Sequence, residues 1–350
     1  HGDDLWRVAT GGVERLEASN SGIIINDGGV DADFRVESNN NANAIFVNGG
    51  TDSVTIGAAG TASSIAGLTF YVGQSGSIYT TDVSGTDDSA ENNLGIGSSA
   101  LGAITTGDNN VALGEHALKL NTTGHSNIAI GYKANDAADT ENNNIAIGLD
   151  ALGGSVAGGE LNIAIGNYAL DALTSADFVT AVGYDAGGAI TTGGYNTLIG
   201  HTTGHAMTSG NVNTAVGHHA LGTNTVGDRN VAVGSGALST FNPSSNTDDN
   251  NTAVGRKGLL AVTTGDNNVA IGRDAGFAIT TGNKNTCMGR SAGNTTTTGS
   301  NNASLGFDAV PYIFFLILIF LLSLGLLAVS YTHLRAHETR HDLVCRLLLE

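Results

Sequence analysis

A glycine that returns every 17 residues constrains this chain more than any other feature. It stands at Gly97, Gly114, Gly131, Gly148, Gly166, Gly183, Gly200, Gly217, Gly234, Gly255, Gly272, Gly289 and Gly306, with one interval of 18 and one of 21. Around each sits a version of Asn-x-Ala-Ile-Gly-x-x-Ala-Leu, as in the run from Asn110 to Leu118. Asn precedes the glycine by four in twelve of the thirteen copies, Val179 being the exception, and the residue just before the glycine is Ile, Val, Leu or Met in all thirteen. A unit this short cannot bury a core by itself, so successive copies must stack. The periodicity predicts an all-β solenoid of about thirteen coils over residues 92–310.

Positions are numbered here from the repeat glycine. Residues −3 and −1 are apolar or Thr (Val111 and Leu113, Val269 and Ile271), and side chains two apart on a strand share a face. That alternation predicts a core on the −3/−1 face. Position −2 is Ala in nine copies and shares the other face with the glycine, leaving it nearly bare and open to close approach by a second chain. A homo-oligomer is therefore expected. Ala recurs at +3 in eleven copies, and Gly at −7 in nine, often after Thr-Thr, marks a turn. Asn at −4 can bond to backbone, so stacked copies predict an Asn ladder along one edge.

Residues 1–60 alternate short β-prone runs with Gly/Asn/Asp turns, for example Ala44-Ile45-Phe46-Val47, and read as a β-rich segment. Residues 61–91 read as a Ser/Thr/Gly-rich connector. Residues 311–328 form an apolar run long enough on its face for a membrane helix. Residues 329–350, beginning Val329-Ser330-Tyr331-Thr332-His333-Leu334, resemble the translation of a sequencing adapter, so no membrane anchor is inferred from the run that abuts them. The chain starts at His1 without a signal peptide and is expected to be a fragment.

The Asn-x-Ala-Ile-Gly-x-x-Ala box resembles the head repeats of YadA-like trimeric autotransporter adhesins, and similar arrays occur in phage tail-fibre proteins. The resemblance covers about residues 92–310. It implies a left-handed parallel β-roll, a homotrimer, and display on a bacterial cell surface or a virion tail. It further implies attachment to host surface glycan, lipopolysaccharide or matrix protein. The coil is longer than in the best-known heads.

A formal net charge of −18 argues against nucleic-acid partners, because phosphate repels such a surface. No Walker, zincin, nucleophile-elbow or calcium-loop motif is present; Gly95-Ile96-Gly97 belongs to the repeat, and no enzyme activity or cofactor is expected. Cys287 replaces the −2 Ala and reads as a small buried residue. His201 and His218 share position +1 in successive coils with His219 beside the latter, close enough to consider metal binding or pH sensing.

Two sets of residues are candidate contacts. Arg256, Arg273 and Arg290 hold +1 in three consecutive coils, with Lys257 adjacent. Stacked like charges repel, so a basic stripe for anionic glycan or lipopolysaccharide phosphate is one reading. The other is a solvated face neutralised by Asp248, Asp249, Asp266 and Asp274. The 21-residue interval carries four extra residues and Phe241, expected to be an exposed aromatic on a bulge. The leading functional expectation is a non-catalytic adhesin or tail-fibre segment. The alternatives are a structural spacer and an ice-binding solenoid using the Thr-Thr pairs.

Overall fold

In the computed structural model the described residues comprise the strands between residues 6 and 72, and residues 76–310 apart from 84–85, 87, 155–157 and 246–247. The apolar run, the adapter-like tail and Cys345 lie outside them. Among the described residues every regular element is a β-strand, and none forms a helix able to cross a membrane. Fourteen short parallel strands recur about 17 residues apart and build a β-solenoid of about thirteen turns, as the glycine spacing predicts. The chain divides into two compact units, His1–Asn144 and Ile145–Glu350.

The first unit begins with β1 (Trp6–Thr10), β2 (Val13–Ser19) and β3 (Gly22–Ile25), an antiparallel sheet in that order. A second antiparallel sheet joins β4 (Phe34–Ser38), β5 (Asn41–Asn48) and β6 (Ser53–Thr55). Strands β7 (Ser63–Ile65) and β8 (Leu68–Val72) then pair antiparallel, inside the stretch expected as a connector. From β9 (Ile78–Tyr79) pairing turns parallel, through β10 (Leu94–Ile96), β11 (Val111–Leu113) and β12 (Ile128–Ile130). The coils thus begin at Ser77, one turn before the Asn92 start expected from sequence. Ser77 Oγ accepts from Asn93 N–H at 3.0 Å, standing where later coils use Asn. Tyr79 is fully buried at the −2 place, and Gly95 replaces Ala above it because an added Cβ would sit 3.0 Å from the Tyr79 ring.

The second unit stacks ten such strands in sequence order. They are β13 (Ile145–Ile147), β14 (Ile163–Ile165), β15 (Thr180–Val182), β16 (Thr197–Ile199) and β17 (Thr214–Val216), then β18 (Val231–Val233), β19 (Thr252–Val254), β20 (Val269–Ile271), β21 (Thr286–Met288) and β22 (Ala303–Leu305). Registers are uniform: Thr252 faces Val269, Ala253 faces Ala270 and Val254 faces Ile271.

The expected orientation of these strands is reversed. The −2 residues point inward: Ala112, Ala146, Ala232, Ala253 and Ala270 are all 0% exposed. The −3 and −1 residues point outward, with Ile130, Ile199, Ile271 and Met288 at 36%, 40%, 40% and 41% exposure. The reason is width. A 17-residue loop encloses a narrow space, filled by Ala at −2 and +3, Leu at +4 and an aliphatic residue at +7 such as Ile104 or Leu173, all buried. A branched residue at −2 would crowd that space. Leu198 is the exception that shows the limit. In its own coil and the one before, the +4 Leu is replaced by Gly204 and Gly187, whose added Cβ atoms would lie 3.0 and 2.8 Å from Leu198 methyls.

The predicted Asn ladder forms, but in the interior rather than along an edge. Asn251 N–H donates to Asn230 Oδ1, Asn268 N–H to Asn251 Oδ1 and Asn285 N–H to Asn268 Oδ1, each at 3.0 Å. Most of these Asn amides also donate to the carbonyl that closes the next coil, as Asn268 Nδ2 does to Gly282 O at 2.8 Å, whereas Asn230 Nδ2 donates to Asp228 O in its own coil. These bonds satisfy buried backbone groups where the coil has no strand partner.

The reversed face makes a direct test. Ala253→Leu should lower unfolding stability by roughly 1–3 kcal/mol through overpacking. Adding Leu238→Gly and Leu259→Gly, which recreates the Leu198 arrangement, should restore at least half of that loss in urea denaturation.

Candidate functional site

Because the interior is filled mainly by Ala, Leu and other apolar side chains, most chemistry-bearing residues stand on the outside in columns, one residue per coil. The column at +1 in the second unit runs Leu149, Asn167, Tyr184, His201, His218, Ser235, Arg256, Arg273, Arg290, Phe307. Parallel pairing sets neighbours about 4.8 Å apart along the backbone, so their rings stack. Tyr184 and His201 lie 5.2 Å apart at 16°, and His201 and His218 lie 5.4 Å apart at 23°.

His219 at +2 joins this group, 6.1 Å from His218 and 5.2 Å from His205. Burial and then the neighbouring His205 and His218 hold its pKa below the ordinary histidine value. Among the described residues no set of three potential ligands converges on a metal position.

The basic residues divide into neutralised and open ones. Arg229 is paired with Asp248, and Arg273 Nε donates to Asp274 Oδ2 at 2.9 Å. Arg290 lies over the Phe307 ring at 5.4 Å, a cation–π contact. Asp249 is buried and accepts from Asp228 N–H, so it is not a surface counter-charge. No hydrogen bond or ion pair to a described residue engages the side chains of Arg256 and Lys257. These two, with Arg273, Asp274, Phe277, Ser291 and Asn294, line a groove of ≈ 330 Å³. Three of the expected contact residues, Arg256, Lys257 and Arg273, are thus brought together, and Arg290 extends their column.

Phe241 corrects an expectation. It is 0% exposed, not a surface aromatic. Its N–H bonds to Leu238 O at 3.2 Å in the manner of Ile104 to Leu101, which places it at the interior +7 position. The four extra residues fall after it: Asn242 N–H bonds to Thr263 O as other coils do, and Asp248 already pairs with the preceding coil. Cys287 is buried as expected, and burial pushes its thiol up to about 11, leaving it protonated. The first Thr of several pairs donates its hydroxyl to the next coil, as Thr191 does to Thr208 O at 3.1 Å.

One surface escaped the sequence reading. At −5 the backbone is left-handed, and six coils use Asn there. Four consecutive coils instead carry Leu161, Phe178, Tyr195 and Val212, exposed by 45%, 47%, 62% and 50%. Phe178 and Tyr195 stack at 5.0 Å. A β-branched Val at φ 58° is conformationally unfavourable and gains little from packing there, so the fold does not account for this column. Comparing each copy with the consensus at −5 is the signal that would have found it.

No family model, curated protein or solved structure matches the chain.

The histidine cluster sets a pH dependence. A folded pKa below the unfolded value means that His219 contributes its full stability above the ordinary histidine pKa of about 6.5. That contribution is lost as pH falls through the depressed value. The urea midpoint should drop between pH 7.5 and pH 5, and His219→Gln should shrink the drop relative to wild type.

Proposed function

We propose that this chain is a non-catalytic attachment segment that works as a homotrimer on a cell surface or virion tail. The observation that carries the reading is the aliphatic stripe on the outward strand face. Ile165, Ile199, Val254, Ile271, Met288 and Leu305 of the second unit are each at least 36% exposed at the same position of their coils. A contiguous apolar stripe of this kind needs a cover in water. Burying half of one such side chain is worth roughly 1 kcal/mol, well below the several kcal/mol that association costs. One coil could not hold an oligomer together, whereas many in register can. An identical chain offers the same spacing and is the best-matched cover, and the number three follows the adhesin resemblance.

The interface therefore uses the −3/−1 face, leaving the +1 and +2 columns for contact with a host or substrate. An array of stacked Tyr, His, Arg and exposed aromatic residues on a rigid parallel scaffold suits attachment, since side chains are preorganised at fixed intervals.

Sedimentation of the full chain should give a trimer, and Ile199→Glu with Ile271→Glu should convert it largely to monomer without loss of β-sheet signal. A wild-type monomer at micromolar concentration would defeat the oligomeric part. A trimer that adheres to no bacterial or host cell would leave a spacer role instead.

A further inference from the structure

The coils around β19, β20 and β21 gather cations in a chain that is otherwise strongly acidic. Arg256, Arg273 and Arg290 stand on adjacent rungs, an arrangement that self-repulsion opposes. Arg273 has Asp274, and Arg290 has the face of Phe307. Arg256 and Lys257 have no acidic partner among the described residues, yet they line the same groove.

Three further features shape that groove. Asp274 is its single acidic lining residue, and it is already engaged by Arg273, so the lining keeps an excess of positive charge. Phe277, 37% exposed, gives one wall a flat apolar face, and Ser291 and Asn294 add neutral hydrogen-bonding groups. The coil before carries Ser235 and Gly236 at +1 and +2. Backbone conformation does not require glycine at +2, since Tyr168, Asp185, His219 and Asp274 adopt the same left-handed φ. Space does not require it either: an added Cβ at Gly236 would meet Lys257 Cγ at an ordinary 3.6 Å. The effect of these small residues is to leave that side of Arg256 and Lys257 uncovered.

We propose that this groove binds an acidic sugar of an extracellular polysaccharide, its carboxylate or phosphate held by Arg256, Lys257 and Arg273 and its ring laid against Phe277. Guanidinium groups grip planar or tetrahedral oxyanions through paired N–H donors, and Lys adds a movable charge. An apolar ring face beside them complements the C–H face of a pyranose. The volume of ≈ 330 Å³ suits one or two sugar units. The repeat of cations along the column favours a polymer with recurring charge over an isolated anion. The chemistry of the groove stands without the attachment reading, which supplies only its setting.

The test is binding of the full-length chain to polygalacturonate, measured by calorimetry against its neutral methyl ester, inorganic phosphate and phosphatidylglycerol vesicles. Polygalacturonate should bind, weaken with added salt, and exceed the ester by at least roughly tenfold. Arg256→Gln with Lys257→Gln should cost about tenfold or more at unchanged melting temperature and oligomeric state. Gly236→Asp, a residue that other coils carry at +2, should weaken binding while keeping every cation, whereas Lys119→Gln on a distant coil should leave it unchanged. Equal binding of polymer and ester, no polymer binding, or equal affinity of the groove variants would overturn the proposal. Binding only to phosphate or vesicles would also overturn it, assigning the groove to free phosphate or a lipid headgroup. Cell attachment that survives the groove variants would separate this site from the attachment reading, which is tested by the stripe variants.

Discussion

The narrowness of a 17-residue coil governs everything else in this molecule. With room for Ala, a Leu and one larger aliphatic chain per turn, the interior cannot hold the branched residues of its own strands, and they are turned outward. Side-chain burial within one chain is correspondingly modest. The fold relies on parallel strand pairing and on Asn side chains that close the remaining backbone groups between coils. Such Asn relays are fully buried and fully partnered along most of their length, the condition under which buried polar groups support a fold rather than weaken it.

The same narrowness divides the labour between inside and outside. Interior positions on the strands vary in compensated sets, as at Leu198 with Gly187 and Gly204, or Tyr79 with Gly95, while +7 ranges from Val262 to Phe241. Outward positions are free to change from coil to coil, and they do: Tyr184, His201, Ser235 and Arg256 occupy equivalent places. A scaffold that repeats while its surface varies can carry different contacts at different heights. The groove at Arg256 and the aromatic column at Phe178 and Tyr195 are two such local surfaces.

Much of this was legible in the residues. Thirteen glycines, all but two of their intervals 17 residues long, predicted the solenoid and its coil count; Asn at −4 predicted a ladder, though along an edge, and the parallel roll came from the resemblance. The inward face was not legible, because Val-Ala-Ile alternation distinguishes two faces without saying which one is inside. The usual preference for branched residues in a core pointed the wrong way, and only the closed dimensions of the coil decide it. Phe241 misled for a related reason: the length of the interval was visible, but not that its extra residues fall after the interior +7 position. The groove was half visible. The arginine column could be counted along the chain, whereas Phe277 and the opening at Gly236 join it only through stacking.

The single break in the Asn box has a mechanical consequence. Val179 N–H donates to Asn162 Oδ1 at 2.9 Å, but Val179 has no side-chain oxygen to offer the next coil. From Asn196 onward the relay runs unbroken through Asn213, Asn230, Asn251, Asn268 and Asn285 to Asn302. In a stacked array, cooperativity is carried by contacts between neighbours, and the junction of β15 with β16 keeps its strand pairing and the Phe178–Tyr195 and Tyr184–His201 stacks but lacks the Asn link. Amide exchange should therefore be faster at that seam than at junctions where the Asn relay runs through.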